Sequence, residues 1–260
     1  MPTIQNVIDT ILTTIPGAPF AETVDVIKAG DPSQEVTGIV TTFLGTQAVM
    51  QKAIDLGANF VITHEPVYYN HLDKIDWLQD DPVYRAKRKL IDDHGLVVWR
   101  FHDYWHSHEP DGIKTGMLQA LNWAQYDAPN QPYMTLPPTT LGDLTAYVKQ
   151  KLGANRALVV GNANMPCSKI ALAPGSPGGE YLVEVLQSDL DVMIVGETSE
   201  WQIPEYVRDA QSQGVAKALI VLGHEVSEES GMAYLVEWLR PQYPNLNITH
   251  VPSGDPFSPQ

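Results

Sequence analysis

Thiols are almost absent from this chain of 260 residues, which has a single cysteine, Cys167. One thiol forms neither an internal disulfide nor a paired-cysteine clamp, so any bound metal must be held by nitrogen and oxygen. Cys167 itself reads as a buried structural thiol, with a nucleophilic role as the alternative. Basic residues are also scarce: 16 Lys and Arg face 31 Asp and Glu, giving a net charge of −15 and a pI near 4.7. A surface of that sign repels phosphate backbones and anionic lipid, which argues against nucleic acid as a partner. It favours solubility and can gather cations. No apolar run approaches the ~20 residues needed to span a bilayer. The segment from Met1 to Pro16 reads as an amphipathic helix without the basic, apolar and small-residue regions of a signal peptide. The expectation is a cytoplasmic protein with no membrane partner.

What is present is a chain with 43% apolar residues, ample for a buried core at this length. Short β-branched runs alternate with helical stretches. Strands are expected over 36–43, 59–63, 96–101, 157–160, 169–173, 191–195 and 217–222, with an edge strand over 248–251. Helices are expected over 46–56, 82–94, 141–152, 181–187, 203–213 and 227–239. Gly57, Gly95, Gly153 and Gly214 stand where helices should stop. This order predicts an α/β protein of two lobes, 1–125 and 126–260, with mainly parallel sheets flanked by helices. The stretch 122–138 holds four prolines and no clear periodicity, and reads as the connection between lobes. A short echo links the halves: helix, Gly57, strand, His64-Glu65 in one, and helix, Gly214, strand, His224-Glu225 in the other.

The chemistry gathers where strands end. Thr63-His64-Glu65-Pro66, His102 to Glu109, and Gly223 to Glu229 each follow an expected strand, and five of the eight histidines lie in these segments. Ligands of open α/β sheets bind beyond the carboxyl ends of strands. Imidazole and carboxylate are the donors for Zn²⁺, Mn²⁺ and Fe²⁺ in sulfur-free sites. If Ser227 caps a helix, Glu228 sits in its first turn, His224 in the loop before it, and both reach one point. The bland alternatives are capping or solvated histidines, and glutamates that merely favour a helix N-terminus.

These motifs resemble the Ngg-interacting factor three-like family, also known as GTP cyclohydrolase 1 type 2 homologues or dinuclear metal-centre hexameric proteins. The family pattern is a strand ending His-His-Pro, a strand ending His-Thr-x-x-Asp, and a late Gly-His-x-x-(Ser/Thr)-Glu. Here the counterparts are His64-Glu65-Pro66, His102-Asp103-Tyr104-Trp105-His106 and Gly223-His224-Glu225-Val226-Ser227-Glu228. The turn Pro174 to Gly179, followed by a helix and a strand ending Gly196-Glu197, also matches. Similarity runs from about Val24 to Pro256. Two ligand types are exchanged, Glu65 for a His and His106 for an Asp, which preserves the ligand count. The second His that usually follows Gly-Glu is missing after Glu197.

The resemblance implies a two-metal centre at strand ends between the lobes, with His64, Glu65, His106, His224 and Glu228 as ligands to two divalent ions (Zn, Mn or Fe). His224 and Glu228 are the candidate catalytic residues. It implies a hydrolase of GTP cyclohydrolase type 2-like kind, acting on a small-molecule nucleotide or phosphoester. Two ions sharing a water lower its pKa toward neutrality. A homohexameric ring is also implied. The alternatives are a non-catalytic metal-binding or regulatory ring protein and an interaction partner in transcription. His102 and His108 read as donors supporting the site from outside it, with Asp103 as an alternative ligand to His106. His71, His94 and His250 read as surface or structural. The glycine-rich turn reads as tight packing, with phosphate binding as the alternative. Trp99, Trp105 and Trp201 are candidates to line a pocket.

Overall fold

The computed structural model describes residues 1–257. In chain order the elements are α1 (Ile4–Leu12), β1 (Ile27–Ala29), β2 (Ile39–Leu44), α2 (Gln47–Asp55), β3 (Phe60–Glu65), α3 (Pro82–Asp93), β4 (Val97–Arg100), α4 (Asp103–Ser107) and α5 (Gly112–Ala120). They continue with β5 (Met134–Thr140), α6 (Leu141–Leu152), β6 (Leu158–Val160), β7 (Pro166–Ala173), α7 (Gly179–Leu186), β8 (Val192–Val195), α8 (Ile203–Ser212), β9 (Ala218–Val221), α9 (His224–Leu239) and β10 (Ile248–His250). The expected α/β class, with mainly parallel sheets flanked by helices, is what forms. The chain makes two compact units, each from two stretches. One holds Met1–Ile113 and Gly231–Ser253, the other Lys114–Ser230 and the described tail from Gly254. The lobes expected from sequence, 1–125 and 126–260, were each a single stretch. The difference arises because α9 begins in the second unit and ends in the first.

The first unit has a sheet of order β1-β4-β3-β2-β10. Strands β10, β2, β3 and β4 run parallel, and only β1 is antiparallel. Alternate residues go to opposite faces, as a pleated strand requires. Phe60, Ile62, Val97 and Trp99 pack with α1 residues Ile4, Val7, Ile8 and Ile11 and with Met232, Leu235, Val236 and Leu239 of α9. Val40, Val61 and Val98 pack instead with Val49, Met50 and Ala53 of α2 and Tyr84 and Ile91 of α3. Burying a side chain of this size contributes roughly 1.5–3 kcal/mol, so a strand that slipped by one residue would exchange both sets.

The second unit repeats the plan with order β5-β7-β8-β9-β6. Its central strands β7, β8 and β9 are parallel and its edges β5 and β6 antiparallel. Ile170, Val192, Ile194 and Ile220 face α6, while Met193, Val195 and Leu219 face α7 and α8. Cys167 lies on β7, buried. Its thiol is pushed up to about 11 by burial first and by the Asp191 charge second. That favours the structural reading over the nucleophile.

Helix signals behave as expected. Thr46 caps α2, Asp81 caps α3 and Thr140 caps α6, each accepting a backbone N–H from three residues on. Gly57, Gly95, Gly153 and Gly214 all have positive φ. Three expectations are corrected. The proline-rich stretch is not all connection, because 134–140 forms β5; it is an edge strand with a register irregularity between Thr135 and Thr139, where prolines are tolerated. Strand β1 and helices α4 and α5 went unrecognised. Helix α9 starts at His224 rather than Ser227, because the Ser227 N–H donates to Gly223 O at 3.2 Å and its hydroxyl does not cap.

Candidate metal centre

In the first unit, β3 and β4 end side by side, with Thr63 opposite Arg100. The next residues, His64 and Glu65 on β3 and His102 just after β4, therefore emerge at one edge of the parallel sheet. His64 is fully buried, and its Nδ1 lies 3.1 Å from the Phe101 carbonyl oxygen. Arg100, also fully buried, donates from Nε to the His64 carbonyl at 3.2 Å and from Nη1 to the His71 carbonyl. Its Nη2 meets Glu65 Oε2 at 3.2 Å. A guanidinium thus compensates the one carboxylate that the strand end carries inward.

Helix α4 is a single short turn, and it is held from outside. Asp25 accepts the His102 and Tyr104 backbone N–H groups, each at 2.8 Å, in the manner of a helix cap. Its own carboxyl is raised, by burial above all, against the backbone hydrogen bonds that lower it. Tyr104 and Trp105 point into the core, and the Trp105 indole donates to the Gly231 carbonyl at 3.2 Å. That leaves His102 and His106, one turn apart, on the other face.

The imidazoles of His64, His102 and His106 gather there. Ring centroids are 4.6 Å apart for His64 and His102 and 5.0 Å for each of the other two pairs. One ring nitrogen of each lies within 4.8 Å of one from each of the others, a grouping able to hold a metal ion. Asp103 Oδ1 sits 2.9 Å from His102 Nδ1, while its Oδ2 accepts from Thr23 Oγ1 and the Val24 N–H. Asp103 thus orients the His102 ring. Asp111 Oδ2 sits 3.0 Å from His106 Nδ1. Burial, and then the neighbouring His64, push His102 down to about 4 against the opposing pull of Glu65 and Asp103. At neutral pH the ring is uncharged, the form that ligates.

In the second unit, β7, β8 and β9 end in the turn Pro174 to Gly178, in Gly196-Glu197 and in Gly223 before α9. Ser227 is buried; its hydroxyl accepts the Gly175 N–H at 2.9 Å and donates to the His224 carbonyl at 2.7 Å. Glu197 donates its N–H to the Gly175 carbonyl at 2.9 Å. Gly175 has φ +72°, and a Cβ there would run into the Glu228 carboxylate. The glycine-rich turn thus packs closely over the first turn of α9. His224 and Glu228, four residues apart on that helix, approach to 3.1 Å between Nε2 and Oε2. Glu228 is 2% exposed. Glu197 Oε1 lies 3.7 Å from His224 Nδ1.

Of the five ligands expected from sequence, His64, Glu65 and His106 are gathered in the first unit and His224 and Glu228 in the second. The surrounding groups Asp25, Arg100 and Asp111 carried no sequence signal, since their roles exist only through contacts made by folding. Glu197 had one, its place after β8. Trp99 and Trp105 are core residues, while Trp201 is exposed. His94 ends α3 at the surface, His250 lies on β10 against Thr41, and His108 packs against Trp105 and Trp238. The His71 ring lies edge-on to His102 at 6.1 Å. Among the described residues no helix is long and apolar enough to cross a membrane.

Comparison with known proteins places this geometry in context. The sequence profile of the Duf34/NIF3 (NGG1p interacting factor 3) family matches residues 3–256. A GTP cyclohydrolase 1 type 2 homolog of Escherichia coli is 23% identical over 231 residues, covering 86% of this chain and 87% of its own. One from Buchnera aphidicola is 25% identical over 214 residues, covering 80% and 81%. Among solved structures, a Staphylococcus aureus protein superposes with TM-score 0.78 at 19% identity, covering 100% and 99% of the two chains. A Bacillus cereus protein related to NIF3 gives TM-score 0.78 at 17% identity with the same coverage.

Proposed function

The chain belongs to the Duf34/NIF3 family, and from that premise we propose that it is a dinuclear-metal-dependent hydrolase acting on a nucleotide or phosphoester. His64, Glu65 and His106 are the ligands offered by the first unit, and His224 and Glu228 those offered by the second. The observation that carries it is the cluster of three imidazoles whose ring nitrogens lie within 4.8 Å of one another, without sulfur, at the carboxyl end of a parallel sheet. Nitrogen and carboxylate donors of this kind suit Zn²⁺, Fe²⁺ or Mn²⁺. Two divalent ions supply a water acidified to near neutrality and a Lewis acid for the substrate.

The chain's own residues do the rest. Phe101 and Asp111 fix the His64 and His106 rings, as outer partners of metal ligands do, and Asp103 fixes His102 beside them. Arg100 holds Glu65. His224 and Glu228 are the groups whose loss should cost turnover most. The name shared by the relatives, GTP cyclohydrolase 1 type 2 homolog, supports a nucleotide as substrate. The family resemblance supports a homohexamer.

A second reading, a metal-binding or regulatory ring without catalysis, draws on the net charge of −15, which disfavours approach of an anionic nucleotide. Elemental analysis followed by a panel of nucleotides and phosphoesters with added Mn²⁺ or Zn²⁺ separates the two. The hydrolase reading expects about two ions per chain and turnover that His224→Ala abolishes while the fold is kept. Stoichiometric metal with no turnover on any substrate would leave the second reading.

A further inference from the structure

We infer that His102 is a metal ligand in its own right, completing with His64 and His106 a three-imidazole face for one ion, to which Glu65 adds a single oxygen. The inference rests on the metal-centre reading above and changes its donor set: sequence had assigned His102 an outer, supporting place.

The hydrogen bonds decide which nitrogen of each ring carries its proton. The acceptor at His64 Nδ1 is a carbonyl oxygen, Phe101 O at 3.1 Å. At His102 and His106 it is a carboxylate oxygen, Asp103 Oδ1 at 2.9 Å and Asp111 Oδ2 at 3.0 Å. None of these oxygens donates, so Nδ1 is the protonated nitrogen in each ring and Nε2 bears the lone pair. That tautomer, with its N–H held by a carbonyl or carboxylate, is the one a ligating histidine adopts. All three rings share it.

The same proton argues against one outer role for His102, a hydrogen bond to Glu65. To support Glu65 from outside, the ring would have to donate from Nε2. A neutral imidazole has one N–H, and Asp103 receives it. The separation agrees: His102 Nε2 is 3.6 Å from Glu65 Oε1, beyond the roughly 2.7–3.2 Å of such a bond. Asp103 is itself fixed by Thr23 Oγ1 at 2.8 Å and the Val24 N–H at 3.1 Å. The ring it orients is thus built into the fold.

Distances also suit a shared ion. Two ligands at tetrahedral angles, each about 2.0–2.1 Å from a metal, stand about 3.3 Å apart. One nitrogen of each ring already lies within 4.8 Å of one from each of the others, and a bound ion would draw them closer. Glu65 Oε2 already meets the buried Arg100 at 3.2 Å, which favours Oε1 as the oxygen offered to the ion. The resulting face is nitrogen-rich, which selects Zn²⁺ over Mn²⁺ and Mg²⁺.

The test uses the full-length, metal-stripped protein, dialysed against equimolar Zn²⁺ and Mn²⁺, with ion content by elemental analysis and Zn²⁺ affinity by titration calorimetry. Wild type should retain about two ions per chain with Zn²⁺ in excess. His102→Ala should lose about one ion, with affinity at that site down by more than 100-fold. Asp103→Asn removes only an outer partner and should keep both ions with about 10–100-fold weaker binding. His102→Asn serves if the alanine variant fails to fold, as judged by thermal melting without metal. The visible spectrum of the Co²⁺-loaded protein should change in the His102 variants and not in His108→Ala. Retention of both ions by the His102 variants, with affinity within 10-fold of wild type, overturns the inference and leaves the two-metal reading standing. Wild type that takes up no metal overturns both.

Discussion

Two buried cations of the first unit, Arg100 and Lys87, differ in their partners. Arg100 is stacked with acceptors: two carbonyls and the Glu65 carboxylate. Lys87, on α3 and 4% exposed, donates to the Val67 carbonyl at 2.7 Å; that neutral acceptor does not offset the loss of water. Burial lowers its pKa to about 8, against a weaker opposing pull from Asp73. Linkage then fixes a sign. A base whose folded pKa is depressed binds its proton more weakly in the native state, so between about pH 8 and 10.5 the unfolded chain carries more protons and stability rises with pH. Below pH 8 the penalty is constant. The size is roughly 3 kcal/mol at most, from the per-unit value of a pKa shift. Lys87→Met should remove this rise, so the denaturation midpoint of wild type should increase relative to that of the variant as pH goes from 8 to 10. A difference that stays flat across that window would show that Lys87 is not titrating as stated.

At the scale of the element, α4 shows how a site outruns its local sequence. Five residues do not make a stable helix in water, and nothing in Asp103–Ser107 announces one. It exists because Asp25 holds two backbone N–H groups at its start and Trp105 anchors it in the core. Asp25→Ala should therefore cost about 1–2 kcal/mol, the scale of a lost cap. It should also weaken Zn²⁺ binding, because α4 carries His106 and His102 stands at its N-cap. A stability loss with unchanged Zn²⁺ affinity would mean that the imidazoles do not depend on the cap. The same reasoning explains what sequence did and did not disclose. Strands β3, β4 and β9, the glycine stops and the histidines after each strand were legible, because periodicity and turn chemistry are local signals. Helix α6 matched its expected bounds, Leu141–Leu152, for that reason. Strand β5 was hidden by Pro137 and Pro138, which an edge position tolerates. The start of α9 was misplaced because Ser227, a good cap by type, turns its hydroxyl to Gly175, 52 residues away in the chain. Asp25 and Arg100 act on residues far from them in sequence, and no local pattern marks such a role.

At the scale of the whole molecule, two units repeat one plan: parallel central strands, with histidine and carboxylate at their carboxyl ends. The short sequence echo between Gly57 to Glu65 and Gly214 to Glu225 falls on the equivalent helix-to-strand-end segments. The acidic charge acts on both units. With −15 net charges the folded chain works against its own repulsion, and two bound divalent ions offset four of those charges. Metal should then stabilise by mass action, about 2.7 kcal/mol per ion at a free concentration 100 times Kd. Relief of repulsion is contained in Kd, and that share fades as the Debye length shrinks from about 10 Å at 0.1 M to about 3 Å at 1 M. Adding EDTA should therefore lower Tm. At one fixed free Zn²⁺ concentration, Kd should be weaker at 1 M NaCl and the drop smaller than at 0.1 M without vanishing. An equal drop at both salts would remove the electrostatic part, and no drop at either would remove the metal from the native state altogether.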